Sequence, residues 1–216
     1  MSLSGRLMLG VPAWDGIRAA AQEAFCGLCY HLGASCPEIE VFMQIVTRRE
    51  QFRARNLLVA EAERQACDWL LMLDDDMLPP CDLFQRLAQH DKPVVGALYW
   101  QRAAPYHPVA MRLTTAHKAP QFLPPESPEL TTPGLYQVDV VGGGCVLFQR
   151  HVWAFVAPPP FWPDLEIGTD VGLCLRLRAA GVEIFVDSSV EVPHLGDPER
   201  ITGAVARARR GTDDPA

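Results

Sequence analysis

The run Leu70-Leu71-Met72-Leu73 stops abruptly on Asp74-Asp75-Asp76. Four apolar residues with no polar alternation predict a strand buried on both faces, the kind found inside an α/β sheet. The acids then sit at its carboxyl end, the edge where open α/β sheets bind ligands because the loops leaving the strands form a crevice there. Side chains alternate along an extended chain, so Asp74 and Asp76 are expected to point one way and Asp75 the other. Two carboxylates on one side repel, and at least one pKa rises unless a cation neutralises them. Hard oxygen ligands of this kind suit Mg²⁺ or Mn²⁺, which are commonly shared with phosphates. An acidic turn leading into a helix at Pro79-Pro80 explains the same residues without any ligand.

The rest of the chain narrows the frame. At 216 residues and 49% hydrophobic content it can bury one substantial core, most economically as a single domain. No apolar run is long enough to span a bilayer, and the first ten residues lack a signal peptide's hydrophobic core, so a cytoplasmic protein is expected. The seven cysteines are scattered and odd in number, which fits reduced thiols; Cys26 and Cys29 form a lone CxxC with no second pair at zinc spacing. A net charge of −7 argues against a nucleic-acid surface as the main feature.

In chain order, Leu7 to Val11 predicts a strand and Gly16 to Leu32 a helix closed by Gly33. A second strand follows at Ile39 to Val46. A polar helix at Gln51 to Ala66 carries Arg53, Arg55 and Asn56 in its first turns, well placed for phosphate at a helix start or, equally, for a solvated face. After the acids come a helix at Pro80 to His90 and a buried strand at Pro93 to Leu98. Tyr99-Trp100-Gln101-Arg102 then offers aromatic rings and an arginine for a ring and a phosphate. The proline-rich stretch from His117 to Gly134 predicts a surface loop, and Leu135 to Val141 a strand entering Gly142-Gly143-Gly144, where the backbone bends or admits a close neighbour. A helix is expected from Arg150. Another opens at Thr169 as N-cap, with Asp170 in its first turn, where the helix dipole favours the ionised form that a general base needs. The capping role alone accounts for Asp170 equally well. A strand at Val182 to Val186, an extended Val190 to Val192, His194, and a frayed polar tail from Asp197 complete the reading.

This ordered set resembles the GT-A fold glycosyltransferases, in particular small single-domain, family-2-like enzymes, some phage-encoded, in which an ARN helix leads to a DxD triplet. The motifs that carry the resemblance are Ala54-Arg55-Asn56, the Asp74–Asp76 triplet, the glycine-rich strand end, DVGLCLRLRAAG from Asp170, and VPHLG around His194. It covers roughly residues 5 to 196. It implies an α/β single-domain GT-A fold over 1–196, a central mixed, mostly parallel sheet flanked by helices, with 197–216 as a short polar tail. It further implies Asp76, Asp74 and His194 as metal ligands, and a nucleotide-sugar site formed by Pro12, Arg53, Asn56, Asp74, Asp75, Arg102, Gly143 and Gly144. Asp170 matches the general base of inverting members. Where the family usually carries two adjacent acids, this chain has Thr169-Asp170, a single carboxylate.

The cofactors so implied are Mn²⁺ or Mg²⁺ with a nucleotide-diphosphate sugar as donor. The acceptor is expected to be a glycan or small molecule, with a hydroxylated DNA base as an alternative, and to meet the loops around Pro120 to Pro133 and Phe161-Trp162. Three rivals share parts of the pattern. A haloacid-dehalogenase-like phosphatase also uses two aspartates one residue apart, but Leu78 stands where it needs threonine or valine. A sugar nucleotidyltransferase requires a glycine-rich basic loop, which Leu9-Gly10-Val11-Pro12-Ala13 is not. A binding module that has lost turnover is favoured by Thr169.

Overall fold

The computed structural model describes residues 3–114, 119–163, 167–196 and 200–210. The amino-terminal half alternates strand and helix: β1 (Gly5–Ala13), α1 (Ala19–Ser35), β2 (Ile39–Thr47), α2 (Gln51–Arg64), β3 (Trp69–Leu73), α3 (Leu83–Ala88) and β4 (Val94–Leu98). A smaller set follows: β5 (Ala110–Arg112), β6 (Gln121–Phe122), α4 (Pro128–Thr131), β7 (Leu135–Val138) and β8 (Val140–Val141). The chain closes with β9 (Cys145–Gln149), a 3₁₀ turn (Arg150–Phe155), α5 (Thr169–Ala179), β10 (Ile184–Glu191), β11 (His194–Leu195), β12 (Arg200–Ile201) and α6 (Gly203–Arg210).

The main sheet runs β2-β1-β3-β9-β4-β10-β7. β2, β1, β3, β4 and β10 point the same way, while β9 and β7 run against their neighbours, giving a mixed but mostly parallel sheet. β3 is fully interior, and its alternation divides the molecule. Leu70 and Met72 enter one core with Val59, Ala62 and Leu177. Leu71 and Leu73 enter the other with Phe25, Leu28 and Phe84. Each of these β3 side chains is at most 1% exposed, as expected of a strand covered by helices on both faces.

Several boundaries differ from expectation, each for a local reason. α1 starts three residues late and runs through Gly33 to Ser35, because Cys36, not the glycine, bonds back to Leu32. The expected strand 135–141 is split: β7 joins the main sheet, whereas Val140 and Val141 pair with β5 in a separate three-stranded sheet. The helix expected from Pro80 is shorter, and the one from Arg150 is a 3₁₀ turn. Thr169 is the first helical residue, and Gly168, at φ 87°, holds the cap position. The expected tail is not frayed throughout: α6 buries Ala206 in a small core with Trp100, Tyr106 and Ile201. His117, Glu166 and Asp197 lie outside the described residues. Among the described residues no helix is long and apolar enough to cross a membrane.

Candidate functional site

At the carboxyl end of β3 the three acids part company. The Asp74 N–H donates to the Gly144 carbonyl at 2.9 Å, so the glycine turn entering β9 runs beside the acids. Beneath lies Arg55, whose side chain is 2% exposed. Helical periodicity explains the burial: Ala54, Arg55, Leu58, Val59 and Ala62 form the inward face of α2, while Arg53 falls outside it. The Arg55 guanidinium donates to both Asp74 oxygens at 3.1 and 3.3 Å and to Thr169 Oγ1 at 3.4 Å, tying α2, β3 and α5 together. Burial disfavours its charge, but Asp74 and Asp170 outweigh burial and hold it charged beyond the ordinary arginine range. Asp74 is displaced upward, because burial penalises the carboxylate and the charges of Asp76 and Asp170 add to that more than Arg55 relieves it.

The glycines serve this arrangement. A Cβ on Gly143 would stand 2.5 Å from the Arg55 guanidinium carbon, and one on Gly144 would stand 2.9 Å from the Tyr99 ring. Their missing side chains therefore make room for Arg55 and Tyr99. The freed backbone is used as well: Gly144 N–H donates to the Tyr99 hydroxyl, and Gly143 N–H to Asp170 Oδ2, both at 3.0 Å. Asp170 Oδ1 accepts from Val171 N–H at 3.0 Å, so the carboxylate is aimed by two backbone donors. The buried Tyr99 phenol is pushed well above its usual range by desolvation and by the neighbouring aspartates, so it stays protonated.

Asp76 is the most covered of the three, its side chain 7% exposed beneath His194 and Arg102. Its Oδ1 lies 3.2 Å from His194 Nε2, and its Oδ2 accepts from Arg102 at 3.0 Å. His194 arrives on β11, which is locked to the acid loop through Leu195 N–H to the Asp76 carbonyl at 2.8 Å and Leu78 N–H to the Pro193 carbonyl at 2.9 Å. Burial raises the Asp76 carboxyl, but the His194 bond and the Arg102 charge prevail and hold it below its ordinary value. His194 moves up for the reciprocal reason: Asp76 offsets the burial of the imidazole. Asp75 is raised by its own partial burial and by Asp76.

These acids open onto a cavity of about 910 Å³ that Pro12, Trp14, Arg18, Arg49, Asp74, Asp75, Asp76, Arg102 and His194 help to line. The cavity thus gathers six of the residues expected at the site. Asn56 is elsewhere: its amide donates to the Phe161 carbonyl at 2.7 Å and accepts from Phe161 N–H at 2.8 Å, clamping that loop. Arg53 is exposed and pairs with Glu50. Gly143, Gly144 and Asp170 lie behind Asp74, outside the cavity lining. Trp14, Arg18 and Arg49 were not singled out by sequence, and Arg55 only as one of a helical group; Tyr99 was expected to offer a ring to a ligand, but it is buried and supports Gly144 instead. The periodicity of α2 carried the signal for Arg55.

Whether these residues suit a divalent ion follows from their donor chemistry. Among the described residues no group of three or more His, Cys, Asp or Glu side chains is arranged to hold a metal. Asp76 and His194 form a two-donor set. The His194 Nδ1–H donates to the Trp100 carbonyl at 2.9 Å, which orients the ring; without a cation Nε2–H faces Asp76 Oδ1, and loss of that proton frees Nε2 as a ligand. One carboxylate and one oriented imidazole fit Mn²⁺ or Mg²⁺ where phosphate oxygens and water complete the shell.

The fold is GT-A, the single-domain α/β architecture with this mostly parallel mixed sheet. A197 from STIV matches over 91% of this chain and 93% of its own, at a TM-score of 0.59 and 21% identity. The crystal structure of GalNAc-T7 with UDP, GalNAc and Mn²⁺ matches over 88% of this chain at a TM-score of 0.58 and 12% identity, and this chain spans 43% of it. No family model matches the sequence, and no curated protein does.

Proposed function

We propose that this chain is a metal-dependent glycosyltransferase that moves a sugar from a nucleotide-diphosphate donor to an acceptor hydroxyl. The observation that carries the reading is the convergence, at one sheet edge, of the Asp76–His194 pair, Arg102 and the cavity beside Asp74 and Asp75, with Asp170 held by backbone amides across the glycine turn. The ligands seen in GalNAc-T7 supply the chemical precedent for the donor class.

In this reading Asp76 and His194 would hold Mn²⁺ or Mg²⁺, which when bound would supply positive charge for the departing diphosphate. Arg102, 63% exposed and tethered among the described residues to Asp76, turns to a phosphate. Asp75 and Asp74 meet the ribose and sugar hydroxyls, and Pro12 and Trp14 border the base. Asp170 takes the proton of the attacking acceptor hydroxyl, aimed by the Gly143 and Val171 amides, and displacement proceeds with inversion. The Arg55–Asp74 salt bridge supports a binding role for Asp74 over that of a phosphatase nucleophile, since an acid so held is a poor attacking group. The acceptor class is a glycan or small molecule, and the exposed Trp162 offers an aromatic face for it.

A thermal-shift panel of UDP, GDP, CDP and TDP, each with Mn²⁺ and with chelator, tests this reading, because a ligand bound only to the folded state raises the melting temperature. A metal-dependent shift with one nucleotide, lost in Asp76→Asn, is expected. No shift with any nucleotide would sink the proposal, and donor binding without any hydrolysis would leave only a binding module.

A further inference from the structure

β2 is an edge strand of nine residues with an unbroken register to β1, from Gly5↔Ile39 to Ala13↔Thr47. It carries none of the usual protections of a free edge: no proline, glycine, lysine or bulge, and its one charged residue, Glu40, is already bound to Arg6 at 2.9 Å. Instead Met43 and Ile45 are 43% and 41% exposed. The hydrogen-bond parity is fixed by the Gly5 N–H, which donates to the Glu38 carbonyl at 3.1 Å. In a parallel ladder the bonding positions alternate, so even residues of β2 turn their peptide groups to β1. Ile39, Val41, Met43, Ile45 and Thr47 turn theirs outward, and among the described residues no strand but β1 pairs with β2.

We propose that β2 pairs antiparallel with β2 of a second copy about a two-fold axis at Met43, giving one sheet that runs through both molecules. The sequence is self-complementary in this register. Met43 faces Met43 and Val41 faces Ile45, all at outward-bonding positions, so the peptide groups and the apolar side chains meet together. No like charges are opposed. Just beyond the strand ends, where Arg48 turns at φ 56° and its side chain lies 3.4 Å from Asp15 of its own chain, the same register brings this exposed arginine near exposed Glu38 of the other copy, twice by symmetry. The free edge is thereby closed on itself, and the two candidate sites, at the carboxyl ends of oppositely directed strands, open at opposite ends of the assembly. This inference does not depend on the proposed activity.

The test is sedimentation of the purified full chain over a wide concentration range, with hydrogen exchange of the β2 amides. A dimer is expected, with the amides of Val41, Met43 and Ile45 protected. Met43→Lys sets two ammonium groups across the axis and is expected to give a monomer of unchanged circular dichroism. Arg48→Glu is expected to weaken the dimer ~10-fold, since each like-charge pair occurs twice, and adding Glu38→Arg to restore it. A wild type that stays monomeric at millimolar concentration, as it would if the edge served another protein's strand, overturns the proposal. So does a dimer that survives Met43→Lys, or one whose β2 amides exchange freely.

Discussion

Asp74 and Asp76 are two residues apart on one loop, yet the protein treats them in opposite ways. Asp74 is satisfied from below by Arg55, a side chain with no freedom to leave, and its carboxyl is raised by burial. Asp76 is met from the rim by His194 and the exposed Arg102, and its carboxyl is lowered in spite of burial. The inner half, with Asp170 and the glycine turn, is anchored on the buried Arg55. The outer half is built of groups able to exchange partners when an anion and a cation arrive. Pre-organisation is thus concentrated where geometry must be fixed, and adaptability where ligands enter.

The contrast breaks most sharply at Asp170. Replacing it with Asn keeps an acceptor for the Gly143 amide but removes the base, so turnover should fall ~10²- to 10⁴-fold while nucleotide affinity is unchanged. Initial rates and donor titration check this, and retained turnover would remove Asp170 from its role. Next in size is Arg55→Met, which strands the Asp74 carboxylate; urea unfolding should show a loss of about 3–5 kcal/mol, much of it recovered in the Arg55→Met, Asp74→Asn double variant. If the single variant is as stable as the parent, the inner half is not a structural unit.

A pH profile of metal-free stability, measured with chelator present, sharpens the outer half. The folded pKa of His194 lies above its ordinary 6.5, so its contribution is complete below that pH and is lost as the pH rises through the folded value. Asp76 lies below its ordinary 3.8, so its contribution is present above that pH and is lost as acid is added through the folded value. The pair therefore stabilises most between these limits, and His194→Gln should abolish the alkaline-side decline. A variant that keeps the decline would assign it to another group. The smallest effect belongs to Arg102→Ala. Its exposed ion pair should be worth only about 0–1 kcal/mol in unfolding, yet nucleotide binding should weaken clearly. A large stability loss would show that the outer half is as structural as the inner.

Much of this frame was readable because it rests on local patterns. An unalternating run such as 70–73 can be buried only between two helix layers, and acids at its end must lie at the carboxyl edge. The alternation of strands and helices through residue 98 followed from periodicity and punctuation. What escaped depends on partners distant in sequence. Asn56 was expected to face nucleotide, but its two amide bonds go to a loop 105 positions on. The glycines at 143 and 144 signalled a close approach, yet composition alone did not say that Arg55 and Tyr99 make it. β9, whose apolar run resembles a parallel strand, reverses direction between β3 and β4, a choice made by the connections and not by the run itself.

His194 also sets the order in which the cleft can be assembled during synthesis. Asp74 lies only 19 positions after Arg55 and can find it early in the growing chain. Asp76 must wait until nearly the whole chain has emerged before β11 brings its imidazole alongside. Because domains fold from the end made first, a nascent chain can hold the Arg55–Asp74 pair through much of its translation, with the glycine turn and Asp170 joining later and the rim last. The two halves therefore differ in age as well as in rigidity, and ligand capture is the last competence the molecule acquires.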